Sequence, residues 1–170
     1  MHRSSGKLVL ALVAGLVIAA TARAQSLKVT VETTKSKVAV SAPKILVNSS
    51  KGYMIGSGDQ DFGGLYVTDP VVPPEGVSLK PSLISWRSLS RVEFTNWDVK
   101  EGDHHFVKAK ITLTNGSSRE VFAWNPSNGS SFYPLSSIKL EGKMLVQGTE
   151  QEVMIEPGRD LKSLEFEISK

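Results

Sequence analysis

Apolar and polar residues alternate with a period of two through most of the chain after residue 24, the spacing that a β-strand with one dry face requires. Leu27-Lys28-Val29-Thr30-Val31-Glu32 is one such run, and Lys37 to Ala42 repeats it through Val38, Val40 and Ala42. From His105 to Leu113 one face reads His105, Val107, Ala109, Ile111, Leu113, and the other Phe106, Lys108, Lys110, Thr112. Asn115-Gly116 follows, and Arg119 to Trp124 resumes the alternation. Asn-Gly accepts the two positive φ angles of a type I′ turn, so this segment predicts a two-residue hairpin. No stretch of ten residues after residue 24 shows the i, i+3, i+4, i+7 spacing of a helix. The expected fold is therefore all-β, a single antiparallel sandwich or a small, partly open barrel spanning residues 25–170.

Residues 1–24 read as a helical secretory signal peptide. His2, Arg3 and Lys7 make a basic start, Leu8 to Ala20 is uncharged and apolar, and Ala22-Arg23-Ala24 supplies the small-x-small cleavage pattern before Gln25. The apolar run is well short of the roughly 20 residues that cross a bilayer, so no integral membrane anchor is expected after cleavage. The chain is expected in the periplasm or outside the cell. With no Cys, it lacks the disulfides on which small secreted animal domains lean, which favours a bacterial source. Three Asn-x-Ser sites, Asn48, Asn115 and Asn128, read first as turn residues and second as glycosylation acceptors.

Processing also removes the charge. The chain has 20 basic and 17 acidic residues, but Arg3, Lys7 and Arg23 lie in the leader, which leaves a mature part of zero net charge. The basic footprint of a nucleic-acid binder disappears with them. Leu27 to Thr33 then has no upstream neighbour and is expected at a sheet edge, with Lys28 and Glu32 guarding it against indiscriminate pairing. Pro43 argues against a central position from that point on. Gly52 to Gly64 and Asp69 to Gly76 are rich in Gly or Pro and read as loops.

A short element recurs three times: Leu89-Ser90-Arg91-Val92-Glu93-Phe94, Leu135-Ser136-Ser137-Ile138-Lys139-Leu140 and Leu161-Lys162-Ser163-Leu164-Glu165-Phe166. Positions 1, 4 and 6 are apolar, so the pattern starts at helical spacing and ends at strand spacing. Each copy is expected to be a tight turn, of 3₁₀ type, whose Leu plugs the core before a strand that places positions 4 and 6 inward. The copies start 46 and 26 residues apart, and unequal spacing argues against a solenoid or propeller, where the period is fixed, and for duplicated elements within one β-barrel or sandwich.

Ile111-Thr112-Leu113-Thr114-Asn115-Gly116, then Leu140-Glu141-Gly142-Lys143, then Val153 to Phe166 resemble a carboxy-terminal β-domain of unknown function found in exported bacterial proteins. The resemblance covers residues 108–168 and implies a small antiparallel β fold. Met144 to Gln151 departs from it, standing where that family has a short acidic turn. No activity comes with the resemblance.

Chemistry-bearing residues are few. His104-His105 is the one His pair of the mature chain, and neighbours on a strand point to opposite faces, whereas a metal wants three or four converging ligands. Gly56-Ser57-Gly58 falls short of a nucleophile elbow, and Asp59-Gln60-Asp61-Phe62-Gly63-Gly64 lacks the later ligands of a Ca²⁺ loop. No catalytic residue, metal or cofactor is expected. Aromatic residues carry the one binding signal: Trp124-Asn125-Pro126-Ser127-Asn128-Gly129-Ser130-Ser131-Phe132-Tyr133 is a polar loop bracketed by rings. Rings of this kind stack on sugars while amides satisfy hydroxyls; they also fill cores. The leading expectation is a non-catalytic exported β-domain that binds or supports another exported protein or a cell-envelope component. A carbohydrate-binding module using Trp124, Asn125, Asn128, Phe132 and Tyr133, with an envelope polysaccharide as partner, is one alternative, and a hydrolase of unknown type is the second.

Overall fold

Alternation leaves each strand a wet face and a dry one, and among the described residues ten strands share their dry faces in one antiparallel sheet. They are β1 (Leu27–Thr33), β2 (Lys37–Ser49), β3 (Gly64–Thr68), β4 (Ser82–Ser85), β5 (Leu89–Glu101), β6 (His104–Leu113), β7 (Ser118–Pro126), β8 (Phe132–Val146), β9 (Thr149–Ile155) and β10 (Leu161–Ile168). The computed structural model describes residues 26–49, 61–71, 80–101, 104–126 and 132–169, without the side chains at 48–49, 101, 104–105, 125–126 and 132–137. Residues 1–24, expected to be a signal peptide, and Gly56-Ser57-Gly58, Asp59 and Asn128 lie outside the described residues. The strand order is β4-β3-β7-β6-β5-β10-β1-β2-β8-β9, with β7 and β8 paired in addition. The sheet is curled into a half-barrel, and the β7–β8 pairing ties its two arms together. Val29, Val31, Val40, Ile45, Leu65, Val92, Ile111, Val121, Ile138 and Leu164 fill the hollow.

Contrary to the expectation from the sequence, β1 is not an edge. It pairs with β10 from Leu27↔Ile168 to Thr33↔Leu161 and with β2 from Lys28↔Ser41 to Glu32↔Lys37. The far end of the chain supplies the neighbour that local sequence could not show. The expectation that β2 holds no central position from Pro43 on is met. β2 pairs with β1 through Ser41 and, past Ala42 and Pro43, with β8 alone among the described pairings. Ala42 sits at φ +48°, a conformation rare outside glycine. Gly142 of β8 makes room for this bulge, since a Cβ there would lie 2.6 Å from Val40 Cγ1 and 3.0 Å from the Ser41 carbonyl oxygen.

The β6–β7 hairpin lies where Asn115-Gly116 placed it, but its turn is of another kind. Only Gly116 has a positive φ (+85°) there. The Gly116 N–H donates to the Leu113 carbonyl at 2.9 Å and the Leu113 N–H to the Ser117 carbonyl at 2.8 Å. This is a three-residue loop, a turn followed by a left-handed glycine bulge. Asn115 earns its place through its side chain, whose Oδ1 accepts from the N–H and the hydroxyl of Ser117. The two-residue turn with both central φ positive is instead Gln147-Gly148 (φ +51° and +82°), joining β8 to β9 through the pair Val146↔Thr149. A left-handed L-residue costs roughly 1–2 kcal/mol, so Gly148→Ala is expected to lower stability by about 1 kcal/mol, read as a lower urea midpoint at unchanged slope. An unchanged midpoint would mean that the turn reforms without strain.

The threefold element has one shared device. Register slips by one residue between Leu89 and Arg91, between Leu135 and Ser137, and between Leu161 and Ser163. Position 2 of each copy, Ser90, Ser136 or Lys162, is thus a bulge residue. Period two alone would face positions 2, 4 and 6 inward; the extra residue brings position 1 onto the face of 4 and 6. Leu89, Val92 and Phe94 are buried, as are Leu161, Leu164 and Phe166, and Ile138 and Leu140. The 3₁₀ turns precede the Leu rather than contain it, at Trp86–Ser88 and Gly158–Asp160; the Leu135 copy lies within β8 and its Leu side chain is outside the described residues.

Candidate functional site

The aromatic loop singled out in the sequence is the connection between β7 and β8. Backbone register sets Trp124 opposite Pro134, Asn125 opposite Tyr133 and Pro126 opposite Phe132. Strand pairing thus brings Asn125 beside Tyr133. The side chains of Asn125, Phe132 and Tyr133, and all of Asn128, lie outside the described residues. Trp124 is half-buried. Its indole N–H donates to Thr68 Oγ1 at 2.8 Å, and its ring stands edge-on to Phe106, 5.3 Å away and 86° inclined. The other two tryptophans pack against the repeated element: Trp86 stacks on Phe166 and Trp97 on Phe94, with Trp97 Nε1 donating to the Leu161 carbonyl at 3.0 Å.

His104 and His105 open β6, opposite Glu101 and Lys100; their side chains lie outside the described residues. Among the described residues no three His, Cys, Asp or Glu side chains gather where a metal ion would sit. Asp61, from the acidic glycine-rich segment, spends its Oδ1 on the Gly63 N–H at 2.8 Å. Gly63 in turn accepts the Trp86 N–H at 3.1 Å, and Gly64 lets β3 approach β4 so closely that a Cβ would lie 2.3 Å from the Ile84 carbonyl oxygen. This chain of contacts seats Trp86 at the wall of a cavity of about 460 Å³, with Leu27, Pro43 and Ile45 as its apolar lining and Asp61 and Arg87 among its polar members. The Trp86 indole nitrogen is buried with no hydrogen-bond partner among the described residues.

The resemblance implied a hairpin after Leu140-Glu141-Gly142-Lys143, and β8 and β9 form one; what sequence reasoning missed is how far it projects and that β9 lies at the end of the sheet. Among the described residues β8 pairs with β2 only as far as Lys143, so the hairpin from Met144 to Gln151 is there a two-stranded ribbon running past the rest of the sheet. β9 is, among the described residues, a terminal strand of the sheet, paired with β8 alone. Faces follow from Leu140, which is buried: Gly142, Met144 and Val146 share its side with Ile155, Val153, Gln151 and Thr149. Glu141, Lys143 and Leu145, with Glu150, Glu152 and Met154, make the outer face. Leu145 is 69% exposed and Met154 60%, more than Leu83 on β4 at the other end of the sheet, which is 46% exposed. The one signal in the sequence was the departure of Met144 to Gln151 from the resembled pattern.

Lys143 Nζ lies 3.7 Å from Glu150, and Lys139 lies 2.9 Å from Glu156; Glu152 has no ion-pair partner among the described residues. Chemically this surface offers unpaired backbone groups, two apolar side chains and a surplus of carboxylates. No family model, no curated protein and no solved structure matches the chain. Among the described residues no helix is long and apolar enough to cross a membrane.

Proposed function

We propose that the chain is an exported, non-catalytic β-domain that binds or supports a protein or cell-envelope partner in the periplasm or outside the cell. One observation carries this reading: the projecting β8–β9 hairpin exposes Leu145 and Met154 on one face beside an open sheet edge. Exposed apolar side chains and unpaired strand groups are what a partner covers. The three-part leader at 1–24 and the resemblance to a domain of exported proteins support the location. A test places a photo-reactive benzoylphenylalanine at Leu145 in the protein expressed in its source cells, with the exposed Lys162 on β10 as control. A discrete adduct from position 145 and none from 162 is the expected result. Absence of an adduct at 145, or equal labelling at both positions, would overturn the binding reading.

A further inference from the structure

We propose that the open edge of β9 takes up one extended, antiparallel strand of a partner protein whose sequence reads apolar-x-basic-x-basic from its amino end. The inference rests on the partner-binding reading and adds the surface and its chemistry.

The edge follows from the turn. In a two-residue hairpin the residues flanking the loop, Val146 and Thr149, face each other with their backbone groups. Backbone direction alternates along a strand, so Thr149, Gln151, Val153 and Ile155 spend their groups on β8. Glu150, Glu152 and Met154 direct theirs to the free edge. The residues that offer ladder bonds are therefore the ones whose side chains lie on the outer face. An added strand meets two carboxylates and then a thioether at alternate positions, and in antiparallel sense its own side chains opposite them run apolar, then basic, then basic. The mode is strand addition, with backbone bonds giving affinity and alternate side chains giving specificity.

Charge selects the occupant. Residues 141–156 hold Glu141, Glu150, Glu152 and Glu156 against Lys143 alone, in a mature chain of zero net charge. An antiparallel second copy of β9 would set Glu152 against itself, Glu150 against Glu152, or one of these two against Glu156, and like charges directly opposite destabilise a pair. The same carboxylates that turn away a second copy attract Lys or Arg. The opposite end of the sheet is less suited: β4 is four residues of Ser82-Leu83-Ile84-Ser85, and short edge strands resist addition.

The test is fluorescence anisotropy with a labelled peptide carrying Val-Thr-Lys-Thr-Lys, against a counterpart with Glu for Lys. The parent should bind the basic peptide at low salt, at least about tenfold more tightly than the acidic one, and lose the preference at high salt. Glu152→Pro removes one outward donor and no β8 bond, so it should keep its thermal midpoint and weaken the basic peptide about tenfold or more. Glu152→Lys, which leaves the backbone intact, should weaken the basic peptide and strengthen the acidic one. Unchanged binding of the basic peptide in both variants would overturn the inference. The Leu145 adduct separates the two levels: retained in Glu152→Pro, it leaves partner binding standing and removes strand addition; missing from the parent, it removes the binding reading itself.

Discussion

Val29→Pro is expected to unfold the protein or leave it barely stable. Val29 lies in the middle of the sheet, opposite Phe166 on β10 and Val40 on β2, and its side chain is fully buried. Proline has no N–H, so one ladder bond is lost whichever neighbour it faced. The carbonyl left behind is buried, at about 1–3 kcal/mol, and the ring cannot follow extended central backbone without distorting both pairings. Together with the lost packing of Val29, the penalty takes up much of the roughly 5–15 kcal/mol of a typical domain. Circular dichroism and urea denaturation of the variant measure it. Glu152→Pro on β9 is the internal comparison, since the same substitution there touches no existing bond. Equal midpoints for the two variants would contradict the strand order.

How much of this was legible in the sequence depends on the range of the interaction. Local physics reads well: Leu27 to Glu32 and Val107 to Leu113 are strands with the faces expected, and Pro43 marks the point where β2 leaves β1, although Phe106, on the face of Lys108 and Lys110, is buried against Phe122. Turn type was half legible. Asn115-Gly116 does close a hairpin, yet the loop takes one more residue because the Asn115 carboxamide bonds forward to Ser117 instead of letting the backbone adopt a second positive φ. Gln147 does adopt one, and Gln carries no such signal. Edge or centre is a long-range property. Nothing in Leu27 to Thr33 records that Leu161–Ile168 returns to lie beside it, so the strand judged open proved covered and the open one, β9, went unremarked. The repeat showed which residues turn inward and not how; the bulge at Ser90, Ser136 and Lys162 is visible only once the partner strands are in place.

That bulge also explains a second large expected effect. Leu161→Ala should destabilise the protein by about 2–5 kcal/mol, the range for truncating a buried leucine. Leu161 is 1% exposed and sits where β10 begins, directly after the 3₁₀ turn Gly158–Asp160. Its side chain faces inward only because Lys162 bulges out of register with β1, so the deleted methyl groups come from a position where backbone geometry, as well as packing, is committed to the plug. The neighbours can collapse little. Trp97 is pinned by its bond to the Leu161 carbonyl and by stacking on Phe94, and the Asp160 carbonyl holds the Thr34 N–H at 3.0 Å. A cavity is therefore expected to remain, which places the loss toward the upper part of the range. Leu145→Ala, on the exposed face of the hairpin, should by contrast stay within about 0.5 kcal/mol. Urea titrations of the two variants beside the parent decide it: equal midpoints for Leu161→Ala and the parent would show that position 1 of the repeat does not plug the core, and a large loss in Leu145→Ala would show that the hairpin is packed rather than free.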